Sequence, residues 1–177
     1  MWNHRRSAMS QEIPLTKEAR TLVEKLDLQP HPEGGFYKEV FRSPIQVESL
    51  PEHAQRVAAT SIYYLLPAGD FSAFHRLQSD EVWSHVLGDP LRLHLIHPSA
   101  GCFHIELGKA LADGQHGQFT VLAGTWQAAE VIGQNFALCT CTVAPGFDFS
   151  EFELATKDRL LASHPECKDV VERLCRE

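Results

Sequence analysis

The stretch that decides the fold is Gly69-Asp70-Phe71-Ser72-Ala73-Phe74-His75-Arg76-Leu77-Gln78-Ser79-Asp80-Glu81-Val82-Trp83-Ser84-His85-Val86-Leu87-Gly88. Two short apolar runs, 71–77 and 82–87, are parted by a polar turn and bracketed by glycines, the punctuation of consecutive β-strands. Alternate residues of a strand face one side. His75 and Leu77 therefore point together, and Glu81, Trp83 and His85 share a face on the next strand. With His75 facing inward, Glu81 converges on it from the neighbouring strand. An imidazole meeting a carboxylate can hold a divalent metal, or it can act as a general base oriented by the acid. Glu81 lies against Val82 and Trp83, where burial without a partner is costly, so it needs a partner or a function.

The same texture extends outward in both directions. Runs rich in Val, Ile, Phe, Tyr and Thr at 36–42, 57–66, 91–97, 102–107, 118–122, 125–132 and 136–143 predict an antiparallel barrel or sandwich. Before it, residues 16–28 place Ala19, Leu22, Val23 and Leu26 at helical spacing, with Thr16 as N-cap and Pro30 and Pro32 beyond the end. After it, Cys167, Val170, Val171 and Leu174 mark a C-terminal helix, with Ser163 and Glu166 as a capping box around Pro165. The expected organisation is a disordered 1–14 and one domain over 15–177. That domain is an all-β barrel at about 36–147, flanked by helices at about 16–28 and 156–176.

Composition narrows the function. A net charge of −7 argues against a nucleic-acid partner, which calls for a basic surface. No run approaches the ~20 apolar residues of a membrane span. The opening MWNHRRSAMS has Arg5 and Arg6 but no apolar run behind them, so it does not read as a secretory signal. The five cysteines, at 102, 139, 141, 167 and 175, lack CxxC spacing and read as reduced thiols of a cytoplasmic protein. Cys139 and Cys141 share a strand face and read as buried small hydrophobes.

The spacing of Gly69, His75, Glu81 and Gly88 resembles the first motif of the cupin superfamily, with Leu77 where that pattern has a second histidine. A second motif is also recognisable over 117–131. Both glycines, Gly117 and Gly124, are kept, while Leu122 replaces a proline, Gln127 the metal histidine and Val131 an asparagine. More specifically, the chain from about Leu28 to Leu154 resembles the DUF985 (cupin 5) family. The likeness rests on His31-Pro32-Glu33-Gly34-Gly35-Phe36-Tyr37-Lys38-Glu39, Thr60-Ser61-Ile62-Tyr63-Tyr64-Leu65-Leu66, Phe74-His75-Arg76, Asp80-Glu81-Val82-Trp83, Ala123-Gly124-Thr125-Trp126-Gln127 and Val143-Ala144-Pro145-Gly146-Phe147-Asp148-Phe149. The resemblance implies a double-stranded β-helix jelly roll, a homodimer, and a shape akin to sugar-nucleotide epimerases, isomerases and seed storage proteins.

The candidate catalytic residues are His75 as base, Glu81 as its orienting partner or second catalytic group, and Tyr63 as acid. Glu33, Arg42, Ser61, Phe74, Trp83, His85, Trp126 and Gln127 are the candidate ligand-binding residues. His75, Glu81 and Gln127 are the candidate ligands of a divalent metal, the one cofactor the residues suggest, with Leu77 occupying the fourth place. Three functions follow. The first is an acid–base isomerase or epimerase acting on a sugar-like or other small polar metabolite. The others are a non-catalytic small-ligand module and a metal-dependent cupin enzyme.

Overall fold

The computed structural model describes residues 14–49, 54–97 and 99–176. The expectation of disorder over 1–14 falls, apart from Pro14, outside them. Thr16 starts the first helix, α1 (Lys17–Leu26), its Oγ1 accepting the Ala19 N–H at 3.3 Å. Asp27, in the left-handed region at φ 54°, ends it by donating its backbone N–H to the helix carbonyls. At the other end the expected helix is broken into α2 (Lys157–Ser163), a 3₁₀ turn at Pro165–Cys167, and α3 (Lys168–Leu174). The capping box around Pro165 does not form. The Ser163 hydroxyl donates instead to the carbonyls of Arg159 and Leu160, inside its own helix.

Between the helices run β1 (Gln29–Pro30), β2 (Phe36–Arg42), β3 (Gln46–Ser49), β4 (Ala54–Val57), β5 (Thr60–Pro67), β6 (Phe71–Arg76), β7 (Asp80–Gly88), β8 (Leu91–His97), β9 (Gly101–Leu107), β10 (Gln118–Val121), β11 (Trp126–Val131), β12 (Phe136–Ala144) and β13 (Glu153–Leu154). One sheet has the order β1-β2-β5-β12-β7-β10, and the facing sheet β13-β6-β11-β8-β9. β3 and β4 form a separate hairpin that the sequence reading did not separate from its neighbours. Every sheet pairing is antiparallel, so the fold is the expected jelly-roll barrel with helices at both ends.

The layers follow from which face of each strand is apolar. Tyr64, Leu66, Trp83, Leu91, Leu93, Leu95, Leu107, Cys139 and Cys141 fill the space between the sheets. Each fully buried leucine there contributes about 2 kcal/mol. The outer face of the first sheet is covered by α1, which packs Ala19 against Leu65, Phe136 and Leu138. The outer face of the second is covered by α2 and α3, through Phe74, Trp126, Leu160, Val171 and Leu174. The result is helix, sheet, sheet, helix.

Cys102 on β9 and Cys167 in the 3₁₀ turn, 65 residues apart, are joined as a disulfide with their Cα atoms 5.8 Å apart. The reading of all five cysteines as reduced thiols is corrected for this pair, which folding brings together without any signal in the spacing. Cys139, Cys141 and Cys175 are free and buried, and burial pushes the Cys139 thiol up to about 12. Among the described residues, no helix is long and apolar enough to cross a membrane.

Candidate functional site

The site begins at the turn between β1 and β2. Gly34 has φ 126°, and a Cβ there would lie 2.1 Å from the Phe71 carbonyl oxygen, so only glycine allows this approach. The close approach sets the turn against β6, where the Ala73 N–H donates to the Glu33 carbonyl at 2.9 Å. Glu33 is thereby aimed into the barrel. Its Oε1 accepts from the Ser72 hydroxyl at 2.9 Å, and its Oε2 lies 3.2 Å from Nδ1 of His75. Ser72 and His75, three residues apart, both reach Glu33 because β6 carries one extra residue opposite β11 between them. His75 Nδ1 also lies 2.9 Å from the Ala73 carbonyl oxygen, which can only accept. Nδ1 therefore carries the hydrogen, and the neutral ring keeps its lone pair on Nε2. His31 stands beside the pair, with Nδ1 3.5 Å from Glu33 Oε2, and burial lowers its pKa so that it is neutral at neutral pH.

Glu81 reaches the same space from β7, held by a different chain of bonds. The Trp83 indole N–H donates to Gln127 Oε1 at 2.9 Å. An indole can only donate, which fixes the amide oxygen towards it and the amide nitrogen towards Glu81. That nitrogen donates to Glu81 Oε2 at 2.5 Å. Burial pushes the Glu81 carboxyl up to about 7, opposed by His75 and by the Gln127 bond, and Glu33 raises it further. At neutral pH this group can give or take a proton.

Around these groups lies a cavity of about 360 Å³, within the range of small-ligand sites. Its wall includes Tyr37, Tyr64, Trp83, Phe147, Phe149 and Phe152. Phe152 packs against the His75 ring at 5.4 Å between centroids. The segment bearing these phenylalanines is fastened by Arg56, whose guanidinium bonds the Glu151 carboxylate and the Gly146 carbonyl, and by Thr60, whose hydroxyl accepts the Phe147 N–H at 2.9 Å. Tyr64 donates its hydroxyl to the Gly34 carbonyl at 2.9 Å, and burial keeps its pKa well up, so it remains a neutral donor. At the exposed part of the wall, Arg42 binds Glu39 through Nε and Nη2, at 2.8 and 2.7 Å.

The structure brings Glu33, Arg42, His75, Glu81 and Trp83 of the sequence candidates to this cavity wall, with Gln127 directly behind Glu81. It places five others elsewhere. Tyr63 faces outward and packs under α1; its neighbour Tyr64 is the inward phenol. Ser61 shares Tyr63's side and bonds Thr142 at 2.9 Å. Phe74 and Trp126 belong to the layer beneath α2 and α3, where Arg76, paired with Glu153, lies 4.5 Å over the Trp126 ring. Glu81, Trp83 and His85 do share a face, in register with Val143, Cys141 and Cys139. The extra residue of β7, Val86, comes only after them, but His85 lies beyond the cavity wall. His85 is turned to the Asp89 carbonyl of its own turn at 2.9 Å. The carboxylate touching His75 is Glu33's, whereas Glu81 is held by Gln127. His31, Tyr37, Tyr64 and the three phenylalanines were missed, although the motifs His31–Glu39 and Val143–Phe149 contain four of them.

The metal set His75, Leu77, Glu81 and Gln127 does not fit an ion as these side chains are arranged. Leu77 is a hydrocarbon, Gln127 turns its oxygen to the Trp83 N–H and its non-ligating amide nitrogen to Glu81, and Glu33 is turned to Ser72 and His75. Among the described residues no three His, Cys, Asp or Glu side chains converge to hold a metal.

Comparison with known proteins agrees with this architecture. The chain is 28% identical over 145 residues to an uncharacterised protein of Saccharomyces cerevisiae, covering 73% of this chain and 71% of that one. A hypothetical protein from Leishmania major superposes with a TM-score of 0.86 at 33% identity, over 90% of this chain and 99% of that one. A Shewanella oneidensis protein gives 0.81 at 37%, over 89% and 97%. The oxalate decarboxylase of Bacillus subtilis, at 14% identity and a TM-score of 0.53 over 84% of this chain and 37% of that one, shares the fold alone. Residues 20–155 match the family described as Cupin superfamily (DUF985), and the chain belongs to that family.

Proposed function

We propose that the cavity binds a small polar metabolite and moves a proton on it, as an isomerase or epimerase does. The observation that carries this reading is the Glu33–His75 pair. A buried carboxylate 3.2 Å from Nδ1 steadies the ring and its charged form, and Nε2 is left as the base. In the reaction, Nε2 takes the proton from a carbon next to a carbonyl. The C–H electron pair moves into an enolate, and protonated Glu81 donates to its oxygen. The His75 imidazolium returns its proton to the neighbouring carbon while Glu81 recovers its own from the enol hydroxyl, giving the isomer. The epimer forms when water protonates the other face of the first carbon, the hydroxide formed taking the proton held on His75. No oxidant is consumed.

Glu81's pKa near 7 supports its part in this scheme, since it can serve in either direction at neutral pH. Tyr64, inward and neutral, spends its one O–H on the Gly34 carbonyl and supports the site by holding the turn that presents Glu33, which leaves Glu81 as the acid. The metal-dependent alternative is not adopted because Gln127 presents its amide nitrogen, not its oxygen, to Glu81 and Leu77 offers no donor.

The test is deuterium incorporation from D₂O into a panel of aldoses, ketoses and amino sugars, read by NMR, for wild type and His75→Ala. Wild type should exchange a carbon-bound hydrogen of at least one compound, and His75→Ala should lose it by about 10²-fold or more. Saturable binding without exchange would overturn the catalytic reading and leave a ligand-binding module. Undiminished exchange in His75→Ala would remove His75 from the role of base.

A further inference from the structure

The charges around the cavity single out one class of ligand. Four carboxyl side chains line it, those of Glu33, Glu39, Glu81 and Asp148, against one guanidinium, Arg42, and no lysine among the described residues. Arg42 is already paired, with Glu39 on its Nε and Nη2, so its charge is balanced by a carboxylate of the same wall. Asp148 stays ionised, held below the usual carboxylate range by the Ser150 N–H and hydroxyl. The remaining wall is aromatic, and ring faces carry negative potential that attracts cations and repels anions. An anion entering here meets the ionised Asp148 at the exposed rim and the buried Glu33 deeper in, where repulsion is less screened. A neutral sugar meets hydrogen-bonding groups and aromatic faces but leaves the excess negative charge unmatched.

We propose that the cavity takes a small organic cation, a primary or quaternary ammonium group on a polar body, with the ammonium against the phenylalanine wall and the carboxylates. This rests on the preceding reading that the cavity is the protein's working site, and it adds the charge of the substrate. The geometry suits the class. Phe147, Phe149 and Phe152 lie within 5.0 to 6.3 Å of one another and present more than one ring to a single guest.

The experiment is titration calorimetry of the full chain with three probes of nearly one shape and different charge: choline, 3,3-dimethylbutan-1-ol and 3,3-dimethylbutanoate. Choline should bind about tenfold or more tightly than the alcohol, and the carboxylate should give no saturable heat. The preference should shrink with added salt, and Asp148→Asn and Glu39→Gln should each narrow it. Equal affinity for choline and the alcohol, tighter binding of the carboxylate, or no saturable binding of choline would each overturn the inference. The two readings fail separately. Choline preference without deuterium exchange on any compound defeats only the proton-transfer reading. Exchange on a neutral sugar without choline preference defeats only this one.

Discussion

Glu81 is the side chain whose chemistry is most altered by folding. Its carboxyl titrates near 7 in the folded protein against 4.5 for an ordinary glutamate. Between those values the folded chain holds a proton that the unfolded chain has released, so this group's contribution to stability falls as pH rises through that window. A glutamine at the same place keeps the volume and cannot ionise. Wild type should therefore lose about 3 kcal/mol relative to Glu81→Gln between pH 5 and pH 8, measured by urea unfolding at both. A pH-independent difference would mean that the carboxyl is not desolvated as described. His31 works with the opposite sign: its pKa is lowered by burial, so its own contribution is lost as pH falls below about 6.5. His75 and Glu81 were legible in the sequence because their spacing between two glycines is specific, and Glu33 because it precedes a pair of glycines. The partnership itself was not legible. Nothing in the alternation of β6 announces the extra residue that turns Ser72 and His75 to the same carboxylate.

A strand betrays its inward face by polarity, and β5 has none to show. Its odd face, carrying Tyr63 and Leu65, is covered by α1, while its even face, carrying Ile62, Tyr64 and Leu66, lies in the barrel. With both faces buried, the hydrophobic pattern cannot assign the interior, and of two adjacent phenols the outward one was taken for the acid. The structural assignment makes opposite predictions for the pair. Tyr64→Phe removes the bond to the Gly34 carbonyl and leaves that acceptor without its donor, at a cost of about 1–2 kcal/mol in thermal unfolding. It should also slow the proton exchange described above, since that bond holds the turn that presents Glu33. Tyr63→Phe should leave exchange unchanged. Strand limits elsewhere were read to within a few residues, because glycine and proline break the runs plainly. The hairpin of β3 and β4 was not, since its exposed polar residues resemble a loop.

At the scale of the molecule, the two C-terminal helices do more than cover a sheet. Arg176, just past α3, donates through Nε to the Glu33 carbonyl at 3.1 Å and through Nη2 to Asp70 Oδ1 at 2.8 Å. Asp70 in turn accepts the Gly35 N–H at 2.9 Å. The end of the described chain thus braces the turn that aims the acid. The Cys102–Cys167 disulfide fastens the same helical cap to β9 and closes a loop of 65 residues. Under denaturing, non-reducing conditions three thiols per chain should react with a thiol reagent, and all five after reduction. Cys167→Ser should lower stability by about 4 kcal/mol, the loop-closure value for that length. Five reactive thiols before reduction would remove the bond from the account. Composition could not disclose it, because the pairing depends on where the last helices fold back.

The bonded series Trp83–Gln127–Glu81 has a consequence for light. The Trp83 indole lines the cavity, and one amide links it to a carboxyl that changes charge near neutral pH. Indole emission shifts colour with the charge and polarity around the ring. Loss of the Glu81 proton should therefore shift the emission of Trp83, seen as the difference between wild type and Trp83→Phe across neutral pH with no label attached.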